Sequence, residues 1–247
     1  MSTNASGIIT RVGEVQAATE ICLQRYENGK IDTLAKALLQ EVLLKKIRFP
    51  LLERCASLLF EAIPSNKQID LCDAIAALKT MGGNVLIGII LQKRLPDHFD
   101  ESMAKCREYI ALGAEWYVCD IIGERVYGVS LLQNPASTLQ ILRELASDDD
   151  QWVARSIGPG CHYAIKKGLP KADVVSVFEL LLSMARVKNK EVKQGVGWAA
   201  KTTAKFHPDI IARYRAQIDD TTQTGQWFRT KVRIGLERNA YAKRNRG

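Results

Sequence analysis

Trp116 and Asp120 stand four residues apart in the stretch Glu115-Trp116-Tyr117-Val118-Cys119-Asp120. In a helix that spacing places both side chains on one face, one turn apart. The face of an indole ring attracts positive charge, and an ionised carboxylate neutralises it. The pair reads in two ways: a half-buried structural contact, or a device for holding a cation.

Other chemistry finds little support. The chain has no Gly-x-x-x-x-Gly-Lys phosphate loop, no Gly-x-Gly-x-x-Gly, no His-Glu-x-x-His and no Gly-x-Ser-x-Gly. His98, His162 and His207 are scattered and read as surface or internally satisfied histidines. The six cysteines form no Cys-x-x-Cys pair and read as reduced, buried residues of a cytosolic protein. Ser147-Asp148-Asp149-Asp150 is the sharpest acidic run, and it reads as a helix start rather than a metal site. No metal or cofactor is expected. Trp152 and Trp227 read as packing residues. Trp198 differs because it follows Gly195 and Gly197, small residues that let a neighbouring helix or a ligand approach closely.

The charge distribution adds a direction. The formal net charge of +8 is carried entirely by the last quarter. Residues 188–247 hold 14 Lys/Arg against 5 Asp/Glu, a net of +9, whereas residues 1–187 hold 21 against 22, a net of −1. A local basic surface points to a polyanion, nucleic acid being the commonest. The alternative is a solvated basic tail, above all for Lys243-Arg244-Asn245-Arg246.

These residues must be positioned by helices, because nearly every segment has helical periodicity. Residues 8–28 carry an apolar stripe that stops at Asn28-Gly29. Asp32 is placed to cap a second helix, Phe49-Pro50 to open a third and Ser65 to cap a fourth, which Gly82-Gly83 should break. Residues 85–91 are apolar nearly all round and predict an enclosed central helix. Helices follow over 99–112, 115–132 and 136–146. The helix carrying Trp152 and Arg155 should be kinked or interrupted at Gly158-Pro159-Gly160. Lys188-Asn189-Lys190 opens a helix through Trp198 to about Lys205, and Trp227 to about Glu237 forms the last.

Pairs recur every 35–45 residues or so without a strict sequence repeat. The expected architecture is all-α: a HEAT-like α-solenoid of antiparallel helix pairs with a concave basic face. It should form a single domain over residues 1–247, with residues 1–7 and 242–247 as loose tails. With 47% apolar residues the chain can build a substantial core. No apolar run approaches a membrane span, and the first residues do not read as a signal peptide.

Three stretches, in order and spacing, resemble the AlkD-like DNA alkylation repair glycosylases, a family built from HEAT-like repeats. Glu115-Trp116-Tyr117-Val118-Cys119-Asp120 resembles the family's Trp-x-x-x-Asp. Ser147-Asp148-Asp149-Asp150-Gln151-Trp152-Val153-Ala154-Arg155 resembles its Ser-Asp-x-x-x-Trp-x-x-Arg. Val192 to Lys201, with Gly195-Val196-Gly197-Trp198, resembles its Gly-Trp helix, followed by His207-Pro208. The similarity is clearest over about residues 85–215. It implies Asp120 as the catalytic carboxylate, Trp116 and Trp198 as the tryptophans that cup the lesion, and Arg155 as a contact to the DNA backbone. Lys193 and Lys201 are then candidate phosphate anchors. The chain departs from the family in having no tyrosine within residues 34–48, and in carrying Thr80-Met81-Gly82-Gly83-Asn84 before the enclosed helix.

The implied activity is monofunctional hydrolysis of the N-glycosidic bond of cationic alkylated purines, of the 3-methyladenine and 7-methylguanine type, in double-stranded DNA. The protein is then expected to act as a monomer, without metal, cofactor or membrane, in the cytoplasm and on the nucleoid when bound to DNA. A non-catalytic HEAT-like protein that binds DNA structure is the alternative. A protein–protein scaffold is a third possibility.

Overall fold

The computed structural model describes residues 7–26 and 30–244, with side chains to residue 242. The Asn28-Gly29 stop signal and residues 1–6 and 245–247 lie outside them, as do the side chains of Lys243 and Arg244. The described chain is all-α apart from one pair of two-residue strands, Ile8–Ile9 parallel to Lys46–Ile47. Its contacts divide it into two compact units, Met1–Lys105 and Cys106–Gly247.

In the first unit α1 (Val12–Gln24), α2 (Ile31–Leu38), α3 (Phe49–Ala62), α4 (Gln68–Ala77) and α5 (Met81–Arg94) follow one another, and α2 runs on through one π-helical turn, Leu39–Leu43. The enclosed helix is α5, in which every residue from Val85 to Leu91 is buried. Three local expectations are corrected. Gly82-Gly83 does not break a helix but lies in the first turn of α5. The preceding helix has already ended at Ala77, Lys79 turns the chain at φ 51°, and Thr80 Oγ1 accepts the Gly83 amide at 3.1 Å. Asp32 sits inside the first turn of α2, where its charge opposes the positive helix end, while Lys30 holds the cap position. Ser65 opens a 3-10 turn, Ser65–Lys67, ahead of α4.

Helix α6 (Phe99–Gly113) crosses from the first unit into the second. The second unit continues with α7 (Trp116–Arg125), α8 (Tyr127–Gln133), α9 (Pro135–Leu145), α10 (Gln151–Lys166) and α11 (Lys171–Ser183). After these come α12 (Lys190–Phe206), α13 (Pro208–Arg213), α14 (Arg215–Asp219) and α15 (Gln226–Arg244). The single helix expected over 115–132 is two, parted at Val126, and the last helix runs on to Arg244 rather than ending near Glu237.

Helices α7, α10, α12 and α15 lie side by side and parallel. Asp120 meets Arg155 while Gly123, three residues on, faces Ser156 and Pro159; Glu191 meets Arg155 while Trp198 meets His162; Gly197 faces Lys231 while the Lys205 carbonyl accepts from Asn239. Both members of each pair of helices are climbed in the same direction. Parallel neighbours are what stacked antiparallel pairs produce, since the second helix of each pair points the same way.

The closest approach in this row is between α10 and α12. A Cβ on Gly158 would lie 2.0 Å from the carbonyl of Gly195, and one on Gly195 would lie 2.3 Å from the Arg155 oxygen. Helix α10 runs through Gly158-Pro159-Gly160 without the interruption that was one of the two outcomes expected there. Pro159 has no N–H to give to the carbonyl four residues back, which is that of Arg155. The α12 backbone takes up position against that carbonyl instead.

Candidate active site

Asp120 is fixed by the second helix of its row. Its carboxylate is 19% exposed, and both oxygens accept from a single nitrogen, Nη2 of Arg155, at 3.1 and 3.2 Å. The Arg155 side chain is 5% exposed. Its other terminal nitrogen, Nη1, donates to the Glu191 carboxylate at 3.2 Å and to the Glu191 carbonyl at 3.3 Å. Glu191 is 24% exposed and sits in the first turn of α12, held there by the Asn189 cap, whose Oδ1 accepts the Glu191 amide at 2.8 Å. Three elements thus converge on one guanidinium: α7 with Asp120, α10 with Arg155 and α12 with Glu191. Burial pushes the Asp120 carboxyl above its usual range, and Arg155 pulls it the other way.

Trp116 is the first residue of α7 and is 53% exposed, on the same face and one turn before Asp120. Its ring meets Tyr117 edge-on at 5.8 Å. The turn that delivers it is tight: Ala114 sits at φ 48°, and a Cβ on Gly113 would collide with Val118 at 2.7 Å. An exposed indole beside a held carboxylate is an arrangement that can receive a cation.

Trp198 lies elsewhere on the row. It stacks on His162 at 4.1 Å, with the two rings 26° from parallel. His162 is two turns beyond Arg155 on α10, about 10 Å along the helix axis. Trp116 and Trp198 are therefore not in ring contact; each has its own neighbour. Beside the Trp198–His162 stack is a cavity of about 150 Å³ lined by Lys166, Lys201, Lys205, Phe206 and Arg238, with no carboxylate in its wall. Thr202 Oγ1 donates to the Trp198 carbonyl at 3.0 Å and so accepts from Nδ1 of His162 at 2.7 Å, which places a proton on Nδ1. Burial, with Lys166 and Lys201 nearby, holds His162 down to about 4. Burial together with Arg238 and Lys231 lowers Lys201 as well. Such a cavity is suited to an anion.

The residues singled out from sequence thus fall into two groups. Asp120, Trp116 and Arg155 come together, and Trp198 and Lys201 form part of the basic cavity. Lys193 lies on α12 between them, half-buried and outside the cavity wall. Arg155 is not placed as a phosphate contact: its guanidinium is interior and both terminal nitrogens are occupied by acceptors of Asp120 and Glu191. Sequence reasoning missed Glu191, His162, Lys166, Lys205 and Arg238. The signal was present for two of them: Arg155 and His162 are seven residues apart, as are Glu191 and Trp198, so each pair shares a helix face. Among the described residues no group of three or more His, Cys, Asp or Glu is placed to hold a metal ion. All six cysteines are buried and outside any disulfide, and among the described residues no helix is long and apolar enough to cross a membrane.

Comparison with known proteins places the chain in a family. The chain belongs to the DNA alkylation repair enzyme family, whose model matches residues 27–227. A solved structure with a similar fold is that of the Pseudomonas fluorescens alkylpurine DNA glycosylase AlkC bound to DNA containing an abasic site analog. The TM-score is 0.57 at 18% identity, a likeness of fold; it covers 96% of this chain and 65% of that one, so this chain spans about two thirds of that protein's length. No protein of curated function matches the chain in sequence.

Proposed function

We propose that this protein is an AlkD-like DNA glycosylase that releases cationic alkylated purines, of the 3-methyladenine and 7-methylguanine type, from double-stranded DNA. The observation that carries the reading is Asp120, a carboxylate held in place by Arg155 one helical turn from an exposed Trp116. Alkylation at N3 or N7 makes the base cationic and weakens its bond to deoxyribose, which breaks through an oxocarbenium-like state. Asp120 stabilises that cationic sugar and orients the attacking water. Trp116 offers its ring to the charged base or sugar, worth about 0.5–2 kcal/mol depending on desolvation. Trp198 does not share this task from its position on His162. It walls the basic cavity, where Lys166, Lys201, Lys205 and Arg238 take the DNA backbone, with Lys193 as a further phosphate contact on α12. The reaction is monofunctional and leaves an abasic site without cutting the strand. The protein acts as a monomer, without metal or cofactor, in the cytoplasm and on the nucleoid when bound to DNA.

The test is release of methylated bases from alkylated duplex DNA by the wild type and by Asp120→Asn. Release by the wild type that is lost in the variant supports the reading; no release by the wild type, or equal release by both, rejects it. A second reading, non-catalytic binding to DNA structure, is favoured by the cavity without a carboxylate. It requires salt-dependent DNA binding that Asp120→Asn leaves unchanged, with no base release by either protein.

A further inference from the structure

Arg155 is shared unequally between its two carboxylates. A guanidinium that serves one carboxylate alone uses two nitrogens, fork to fork, and the pair is neutral. Here Nη1 is spent on the Glu191 carboxylate and carbonyl, and only Nη2 reaches Asp120. An ionised carboxylate has about four lone-pair sites, and Arg155 fills two on Asp120. The three side chains carry formal charges of −1, +1 and −1, so the site keeps one negative charge in partly buried surroundings, where charge acts more strongly than in water. The arrangement is enforced by backbone. Gly195 packs against the Arg155 carbonyl, and Asn189 fixes the turn bearing Glu191. The Glu191 carbonyl cannot leave Arg155 without its helix moving, and it holds the Glu191 carboxylate close to the same nitrogen.

We propose that Glu191 is a positioning residue that keeps Arg155 from cancelling the charge of Asp120, and that the site thereby selects a cation over a neutral group of the same shape. The inference rests on the reading above that Asp120 faces a cationic sugar or base. Without the Glu191 carboxylate, Arg155 is balanced by Asp120 alone, and the net negative charge offered to the ligand disappears.

The probes are two DNA duplexes, each with one abasic-site analogue: a pyrrolidine that is cationic at neutral pH, and a neutral tetrahydrofuran. The wild type is expected to bind the cationic duplex about tenfold or more tightly than the neutral one. In Glu191→Gln that ratio should fall to within about twofold of unity, while affinity for the neutral duplex changes by less than about twofold. Glu191→Asp, which keeps the charge, should restore part of the preference. A role confined to folding would lower both affinities together and leave the ratio in place. If Glu191→Gln does not fold, judged by loss of its helical circular dichroism, Glu191→Met gives the same reading. A wild type that does not distinguish the two duplexes overturns the inference. So does a Glu191→Gln protein that keeps the wild-type ratio while Asp120→Asn loses it. Base release is assayed in parallel: a wild type that releases nothing yet keeps the preference supports the inference and rejects the glycosylase reading.

Discussion

Arg94 in the first unit and Arg155 in the second are both buried arginines with an Nε that has no partner, yet they hold opposite kinds of surroundings. Arg94 donates to the Ser65 carbonyl and the Gln68 side chain, each at 2.8 Å, and pairs with one carboxylate, Glu101, which is half-exposed. Its charge is balanced one to one, and its remaining acceptors are neutral. Arg155 faces two carboxylates, both mostly buried. The first arginine ties helices together and closes its own charge balance. The second ties helices together and leaves a negative charge over. Burial of an arginine therefore does not tell these two sites apart; the count of carboxylates around it does.

The largest effect that would sharpen this contrast is on Arg155. Arg155→Met leaves Asp120 and Glu191 facing each other without a cation, and should cost about 3–5 kcal/mol in denaturant unfolding at pH 7. The Asp120 carboxyl, already raised by burial, should then titrate higher still once Arg155 no longer pulls it down. A group raised on folding contributes stability below its unfolded value and loses it as pH rises through the folded one, so the deficit should shrink on acidification. A deficit that does not shrink would break the contrast. Asp120→Asn should lower base release by about 10²–10³-fold while moving stability by less than about 1 kcal/mol. Arg94→Met should cost about 1–3 kcal/mol, less than Arg155→Met, because Glu101 regains water. If Arg94→Met cost as much as Arg155→Met, the distinction between the two arginines would fail.

Smaller effects test the basic cavity and the half-exposed partner of Arg94. His162, held at about 4 against 6.5 unperturbed, is neutral in the folded protein. Its stabilising contribution is present above about 6.5 and lost as pH falls through about 4. Wild-type Tm should therefore fall relative to His162→Phe over that window, and an imidazole that titrates near 6.5 by NMR would contradict the closed stack. Smallest is Glu101→Gln, expected below about 1 kcal/mol because the carboxylate is half-exposed.

Much of the fold could be read from the chain. The all-α class, the enclosed helix over 85–91 and the helix starts at the Ser147–Asp150 run and at Lys188-Asn189-Lys190 follow from periodicity and local chemistry. Places where two helices decide together could not be read. Gly158-Pro159-Gly160 looks like a breaker when α10 is considered alone. It becomes a contact surface only when α12 lies against it. Asp120 and Trp116 were legible because i and i+4 share a face. The destination of Arg155 was not, because its second carboxylate is 36 residues away. Trp198 was legible as unusual from Gly195 and Gly197, but its partner His162 belongs to another helix, and a scattered histidine gives no sign of the ring it will meet.

The seam between Gly158 and Gly195 has a consequence for how the site responds to heat and to change elsewhere. Side chains yield by changing rotamer, whereas two backbones in contact have nothing to rotate. Loosening of the surrounding core should reach the spacing of Asp120, Arg155 and Glu191 last. Amide hydrogens near the seam should then exchange with solvent only when the unit opens as a whole. Seen in this way, the two glycines are the gauge block of the molecule: with no side chains of their own, they set the distance at which the charged ones meet.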